Sequence, residues 1–360
     1  MGNFLKKLLL ITLVILPLNI YAANAIHHGP IGVMGDHFHK KGEWMVSLRL
    51  ANMEMKKNIL NGNSISADDI LKQPNPFSKM PMMMKNSESM KMPMNLSVIP
   101  KKMTMRMIML GAMYAPSDKI TLMGMAIFND KEMTLDTHQG MMARNYLGSF
   151  ETSSSDLSKI SLSTLFNLHK GDASRWHLIF GLEKSVGDNS EKGLVLNPMN
   201  MKATIILPYG MQSGDKALRL ITGLTNVRSI GNFILGNQLL VKKVIDEKDW
   251  NYGDEFEYNL WFQGSFNEKA SYSFRLNYKD QDSIDGSDMT IMAPVQTANP
   301  LNYGGEVINF GIGINAIFDL FGGRHKDRFA FEIIKPIDQN KNGLQMKDDI
   351  TIHIGFQKSL

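Results

Sequence analysis

The chain has no cysteine in 360 residues. That one absence removes disulfide frameworks, thiolate zinc sites, iron–sulfur centres and thiol nucleophiles together. It also leaves no residue for a lipoprotein anchor. Charge of one sign is lacking too: 39 Lys and Arg stand against 35 Asp and Glu, for a net charge of +4. The two signs are mixed along the chain, which gives no basic field for nucleic acid and no polyacidic tail. After residue 25 no stretch approaches the roughly 18 uninterrupted apolar residues that a membrane helix needs. G-x-S-x-G, G-x-x-x-x-G-K-[ST] and H-E-x-x-H are all missing. Ser, His and Asp do occur in loops, His138 among them, but in no distinctive spacing. The expectation is a protein that is not an enzyme.

What is present begins with the amino terminus. Lys6 and Lys7 precede an apolar run from Leu8 to Ile20, and small residues follow at Ala22, Ala23 and Ala25. This is the pattern of a secretory signal peptide over residues 1–25, cut after Ala22 or Ala25. Residues 26–41 then form a His- and Met-containing segment, expected on the periplasmic side.

From residue 42 to 360 the dominant period is two. Ala270, Tyr272, Phe274, Leu276 and Tyr278 share one face, while Ser271, Ser273, Arg275 and Asn277 share the other. Ile308, Phe310, Ile312 and Ile314 oppose Asn309, Gly311, Gly313 and Asn315. About twelve such segments can be counted, each near the nine to eleven residues of a tilted membrane strand. Short connections such as 115–118, 169–173, 226–230 and 264–268 alternate with long ones such as 55–102, 130–156, 186–216 and 279–305. A soluble β-sandwich would bury the apolar faces but would not alternate its connections. The pattern predicts an all-β, transmembrane antiparallel up-and-down barrel of about 12 strands, in the bacterial outer membrane. An even strand count puts both termini at the periplasm and the Met-rich loop 55–102 at the extracellular rim.

Several stretches resemble the MetA-pathway-of-phenol-degradation family, whose members are described as transporters. They are Pro30-Ile-Gly-Val-Met-Gly-Asp-His-Phe-His-Lys-Lys-Gly-Glu-Trp-Met45, Met109-Leu-Gly-Ala-Met-Tyr-Ala-Pro116, Leu207-Pro-Tyr-Gly-Met-Gln212, Thr222-Gly-Leu-Thr225 and Tyr303-Gly-Gly-Glu306. The resemblance implies a barrel of about twelve strands linked to uptake of hydrophobic compounds. It supplies no catalytic residues.

Three constellations could carry chemistry. Arg49, Arg175, His177, Glu183, Arg219, Glu255, Glu257, Arg275, Asn309, Asn315, Arg328 and Glu332 fall on polar strand faces and are expected to line the lumen. They either border a conduction path or neutralise one another in a packed interior. Near the amino terminus, His27, His28, Met34, Asp36, His37 and His39 cluster. Imidazole suits Cu, Zn and Ni. After cleavage at Ala25, His28 would be the third residue, placed to bind Cu(II) together with the terminal amine. The same residues could instead cap the first strand or plug the lumen.

Third, 17 of the 28 Met lie between Met80 and Met142. In the loop, Met82, Met84, Met90, Met92 and Met94 could gather Cu(I) or Ag(I), since thioethers bind soft ions without deprotonation. Alternatively they are flexible apolar filler. Met103, Met105, Met107 and Met109 alternate with Thr104 and Arg106, which predicts that these Met face lipid. Met123 and Met125 share a face with Thr121 and are expected inward. The favoured reading is a channel or transporter for small solutes, hydrophobic or aromatic. The rival is a copper- or silver-binding surface protein, and a third class is a structural or adhesive barrel. No cofactor is required, copper or silver ions being the only candidates. The expected partners are outer-membrane lipid and lipopolysaccharide, the barrel assembly machinery and a small-molecule solute, with no nucleic acid.

Overall fold

The structure is a computed structural model that describes residues 25–79, 81–82, 90–140, 144–171, 173–319 and 327–360. The signal segment expected at the amino terminus lies outside these residues, except for Ala25. Period-two runs extend into strands whose backbone groups pair only with neighbouring strands. Twelve of them close on themselves: β1 Trp44–Leu60, β2 Val98–Ser117, β3 Ile120–His138, β4 Tyr146–Lys170, β5 Ser174–Ser185, β6 Leu218–Ile230, β7 Phe233–Asp246, β8 Glu255–Asn267, β9 Ala270–Gln281, β10 Gly305–Phe318, β11 Asp327–Lys341 and β12 Leu344–Ser359. Each pairs antiparallel with the next, and β12 returns to β1 from Met45↔Ser359 to Leu60↔Leu344. Closure leaves no edge, the condition for strands to cross a bilayer.

The two faces of each strand differ sharply. Phe274 and Leu276 are 41% and 44% exposed, whereas Ser273 and Arg275 are 1% and 4% exposed. Leu162, Phe180, Ile312 and Ile333 continue the exposed apolar band around the wall. Trp44 stacks on Tyr114 at the periplasmic end of β1 and β2, with ring centroids 4.4 Å apart. Phe233 meets Phe262, and Phe266 meets Tyr272, near the same rim. An apolar belt edged by aromatics is the outer surface of a membrane barrel. Among the described residues no helix is long and apolar enough to cross a membrane. The wall is a bacterial outer-membrane barrel, all-β with 12 strands.

The long–short alternation of the connections holds over most of the wall, with trimmed ends, and reverses at the carboxyl end, where the extracellular connection is only 342–343 and the periplasmic one is 319–326. β3 and β4 run on to His138 and from Tyr146, so the long connection expected at 130–156 shrinks to residues 139–145. The extra strand length pairs through Lys131↔Ser154 to Asp136↔Ser149, beyond the apolar band. Likewise the loop expected at 55–102 narrows to 61–97.

Register overturns one expectation. Arg49, which points inward, pairs with Met109, and Ala51, Met53 and Met55 pair with Met107, Met105 and Met103. Directly opposed residues share a face. Met103, Met105, Met107 and Met109 therefore face the lumen, and Arg106 points out, bridging Asp130 at 3.2 Å and Glu132 at 3.6 Å. The Thr104 and Arg106 positions misled because they lie near the extracellular rim, where outward polar side chains meet water rather than lipid.

Candidate functional site: a plugged lumen with two unlike walls

Residues 25–41 fold into the periplasmic end of the lumen as a plug. Apart from a 3-10 turn at Ala25–His27 it has no regular secondary structure, and many of its backbone groups are satisfied by side chains from the wall. Arg49 donates to Ile31 O at 2.7 Å and to the Met34 sulfur at 2.6 Å. Gln238 donates to Met34 O at 2.8 Å, and Arg328 donates to Gly29 O. Gln263 and Asn315 both donate to His28 O. His177 Nε2 lies 2.8 Å from Gly35 O, so it carries the proton. Val33 adds an apolar foot among Val227, Ile234 and Trp261. Gly32 permits the deepest approach. Its N–H donates to Glu332 at 2.9 Å, and a Cβ there would lie 2.3 Å from the Arg275 guanidinium.

Above the plug the lumen has two unlike sides. Strands β4 to β12 carry a network of opposite charges. Arg275 meets Glu332 at 2.8 Å and Asn259 at 2.9 Å. Glu183 takes Lys242 at 2.8 Å and Lys159 at 3.2 Å, and Glu255 takes Lys279 at 3.2 Å. Arg219 pairs with Asp215 and also donates to Tyr252 O. Glu257 accepts from Asn277, and Asn277 in turn accepts from Asn309. Of the twelve residues read as lumen-lining, Arg49, His177, Arg275, Asn315, Arg328 and Glu332 lie against or just above the plug. Glu183, Arg219, Glu255, Glu257 and Asn309 lie in the network above. Arg175 is half-buried near the plug, close enough to His27 and Asp36 to act on both electrostatically. Lys159, Lys242, Lys279, Asp215 and Asn259 escaped the sequence reading. Lys279 had been placed in the connection 279–305, and β9 runs on to Gln281, further than the alternation suggested.

Strands β1 to β3 form the other side. Met55, Met103 and Met133 make one cross-strand row near the top, and Met45, Met113 and Met123 make another near the plug. Between them Met53, Met105, Met107, Met109 and Met125 remain only half-buried.

The upper end is closed by inward-folded loops. Leu207, Tyr209 and Met211 are buried with Trp250, Ile291 and Val295. Lys131 holds this lid by donating to Gly210 O at 3.1 Å and Gln212 O at 2.6 Å. Between the lid loops and the extracellular ends of β3 and β4 lies a cavity of about 290 Å³, lined by Met92, Met133, Leu135, Phe150, Val195 and Met211, among others.

The metal-candidate residues separate. His28, His37 and His39 come together in the plug: the His28 and His37 rings lie 4.9 Å apart between centroids, and His37 and His39 also 4.9 Å. His27 is exposed, and Met34 is taken up by Arg49. Met92 is buried at the cavity and Met94 is 80% exposed. The backbones of Met82 and Met90 pair with one another, while Met84 lies outside the described residues. His37 Nδ1 donates to Asp36 at 2.9 Å, and His39 Nδ1 lies 3.4 Å from Glu43. Burial alone would raise the Asp36 carboxyl, but His37, with Arg328 and His28 beyond it, holds it well below the usual carboxylate range. Burial, reinforced by Arg328, holds His28 well below the ordinary imidazole value, and burial lowers His39 as well.

No protein-family model matches the chain, and no curated protein matches it. Among solved structures, an outer membrane channel from Pseudomonas putida F1 is 12% identical, with a TM-score of 0.54 over 90% of this chain and 98% of that one. A FadL homologue from Pseudomonas aeruginosa is 8% identical, with a TM-score of 0.41 over 94% of this chain and 98% of that one. The chain shares the outer-membrane channel fold of the first.

Proposed function

We propose that the protein is a passive channel for small hydrophobic solutes, aromatic ones included, across the outer membrane. The observation that carries this reading is the apolar cavity at the extracellular lid, which shares Met133 with the methionine side of the lumen. An apolar cavity of about 150 Å³ already accepts a benzene molecule. The 290 Å³ here suits a solute of one or two rings. A hydrophilic solute would lose its water there without regaining hydrogen bonds, at a cost of roughly 1–3 kcal/mol or more per polar group. Methionine is unbranched and polarizable, so its wall adapts to many apolar shapes.

In this reading the solute leaves the lipopolysaccharide layer, dwells in the cavity, and descends along the Met53, Met105, Met107 and Met109 side. The charged wall opposite keeps the barrel rigid and gives the solute no purchase. The plug at residues 25–41 then sets whether the path is continuous to the periplasm. Insertion by the barrel assembly machinery belongs to the same reading, as does the absence of chemistry. The test is uptake into vesicles reconstituted with the folded barrel. A monoaromatic hydrocarbon should equilibrate faster than in protein-free vesicles, and glucose should not. Met133→Glu, placing a charge in the cavity, should abolish the difference. Equal permeation by both solutes would point to a general porin instead.

A further inference from the structure

The plug holds a feature that the channel reading does not use. His28, His37 and His39 are each more than nine-tenths buried, and each keeps one ring nitrogen, Nδ1 of His28 and Nε2 of His37 and His39, with no hydrogen-bond partner. Three orphaned polar atoms within one small cluster are costly, since each gives up its water for nothing. Two of the rings are also held in one orientation. His37 presents Nδ1 to Asp36 and His39 presents Nδ1 to Glu43, so in each the free atom is Nε2. A carboxylate on one ring nitrogen that leaves the other as a lone pair is the arrangement found behind metal-bound imidazoles.

From this geometry we infer that His28, His37 and His39 form a binding site for one divalent transition ion, Cu(II) foremost. With metal–nitrogen bonds of about 2.0–2.1 Å, two imidazoles on one ion have ring centroids roughly 4.5 Å apart at a right angle and roughly 5.2 Å apart at the tetrahedral angle. The two observed separations, both 4.9 Å, fall between these values. Among the described residues no three His, Asp or Glu side chains already converge on one point. The ion would therefore draw His28 and His39 toward His37 by ring rotation. An imidazole donor set without thiolate places Cu(II) first among the divalent ions of the first transition row. His27, exposed beside His28 at the periplasmic mouth, offers a way in. The bound ion would tie residue 28 to residues 37–39 and fasten the plug as a closed loop. This site stands whether or not the barrel conducts hydrocarbons.

The test uses the full chain folded in detergent, with folding of every variant checked by heat-modifiable gel migration. Cu(II) is added and followed by calorimetry and electron paramagnetic resonance. The expected result is one Cu(II) per barrel with superhyperfine splitting from three imidazole nitrogens. His37→Gln and His39→Gln should each weaken binding at least tenfold, and His27→Gln should leave it unchanged. Binding lost in His28→Gln but kept in His37→Gln would show that His37 is not a ligand, and overturn the site. Absence of binding by the unaltered protein above a buffer control would overturn it as well.

Discussion

The two sides of the lumen solve one problem with opposite chemistry. Both must fill the interior of a twelve-stranded barrel, which stands between the filled eight-stranded kind and the open porins of sixteen or more strands. Strands β4 to β12 fill it with paired charges whose geometry is specific: Arg275 reaches Glu332 and Asn259 at once, and Glu183 is held between Lys242 and Lys159. Strands β1 to β3 fill it with methionine, which needs no partner. The first side is rigid because each charge depends on its neighbour. The second is adaptable because nothing in it depends on exact direction. A hydrophobic solute can displace the methionine side and cannot displace the charged one.

The largest expected effect comes from breaking a pair on the charged side. Glu332→Gln leaves the Arg275 guanidinium without its anion in a buried site and removes the charge that Gly32 of the plug approaches. Loss of one partner of a buried pair costs about 3–5 kcal/mol. Denaturant unfolding of the folded barrel in lipid should show a loss of that size. The double change Arg275→Met with Glu332→Met should recover much of it. A double variant no more stable than the single would mean that the pair is not the unit of stability.

Next comes the contrast between inside and outside. Phe274→Arg puts a cation on the lipid face near mid-membrane, at a cost of about 2–4 kcal/mol. Phe274→Leu should cost well under half as much. Comparable losses for the two would place Phe274 away from the hydrocarbon.

Gly32→Ala probes the junction of plug and charged side. The added methyl would meet Arg275 and Glu332 inside contact distance. Either the plug backbone withdraws or the pair shifts, and overpacking of this kind costs about 1–3 kcal/mol. Conductance in planar bilayers should rise in frequency or amplitude relative to the unaltered barrel. Unchanged conductance would show that the plug does not control the path.

Much of the wall was legible in the sequence and less of its contents. Period two and alternating connections give the strands because lipid on one face and a packed lumen on the other impose opposite chemistry on successive residues. Arg275 and Glu332 read as inward for that reason. The signal fails where lipid ends. Above the apolar band both faces meet polar surroundings, so β3 and β4 overrun into what reads as loop, and Arg106 reads as inward when it points outward to Asp130. Methionine is ambiguous in principle, since it suits lipid and lumen equally, and only the pairing of Arg49 with Met109 decides. A plug was one of the alternatives that the His segment offered, but its conformation is illegible for a different reason. Its conformation is set by wall side chains such as Arg49, Gln238 and Arg328, hundreds of residues away in some cases, and by no periodicity of its own. The clustering of His28, His37 and His39 was visible as spacing, but their burial and their carboxylate partners were not.

The smallest effect is expected on the methionine side, and its smallness is informative. Met107→Leu keeps volume and apolarity at a half-buried position in the middle of the stretch between cavity and plug. Swaps of this kind usually cost less than about 1.5 kcal/mol. Hydrocarbon uptake should stay near that of the unaltered barrel, because the solute needs an apolar surface there and not a sulfur atom. Met107→Glu should leave the barrel folded, since Asn129 stands opposite it on β3 and the half-exposed position admits water. Yet it should cut hydrocarbon uptake severely, because the solute must now pass a hydrated charge. If Met107→Leu were to abolish uptake while Met107→Glu spared it, the methionine wall would be acting through its thioethers. A soft-ion path would then replace the hydrocarbon path on this side of the lumen.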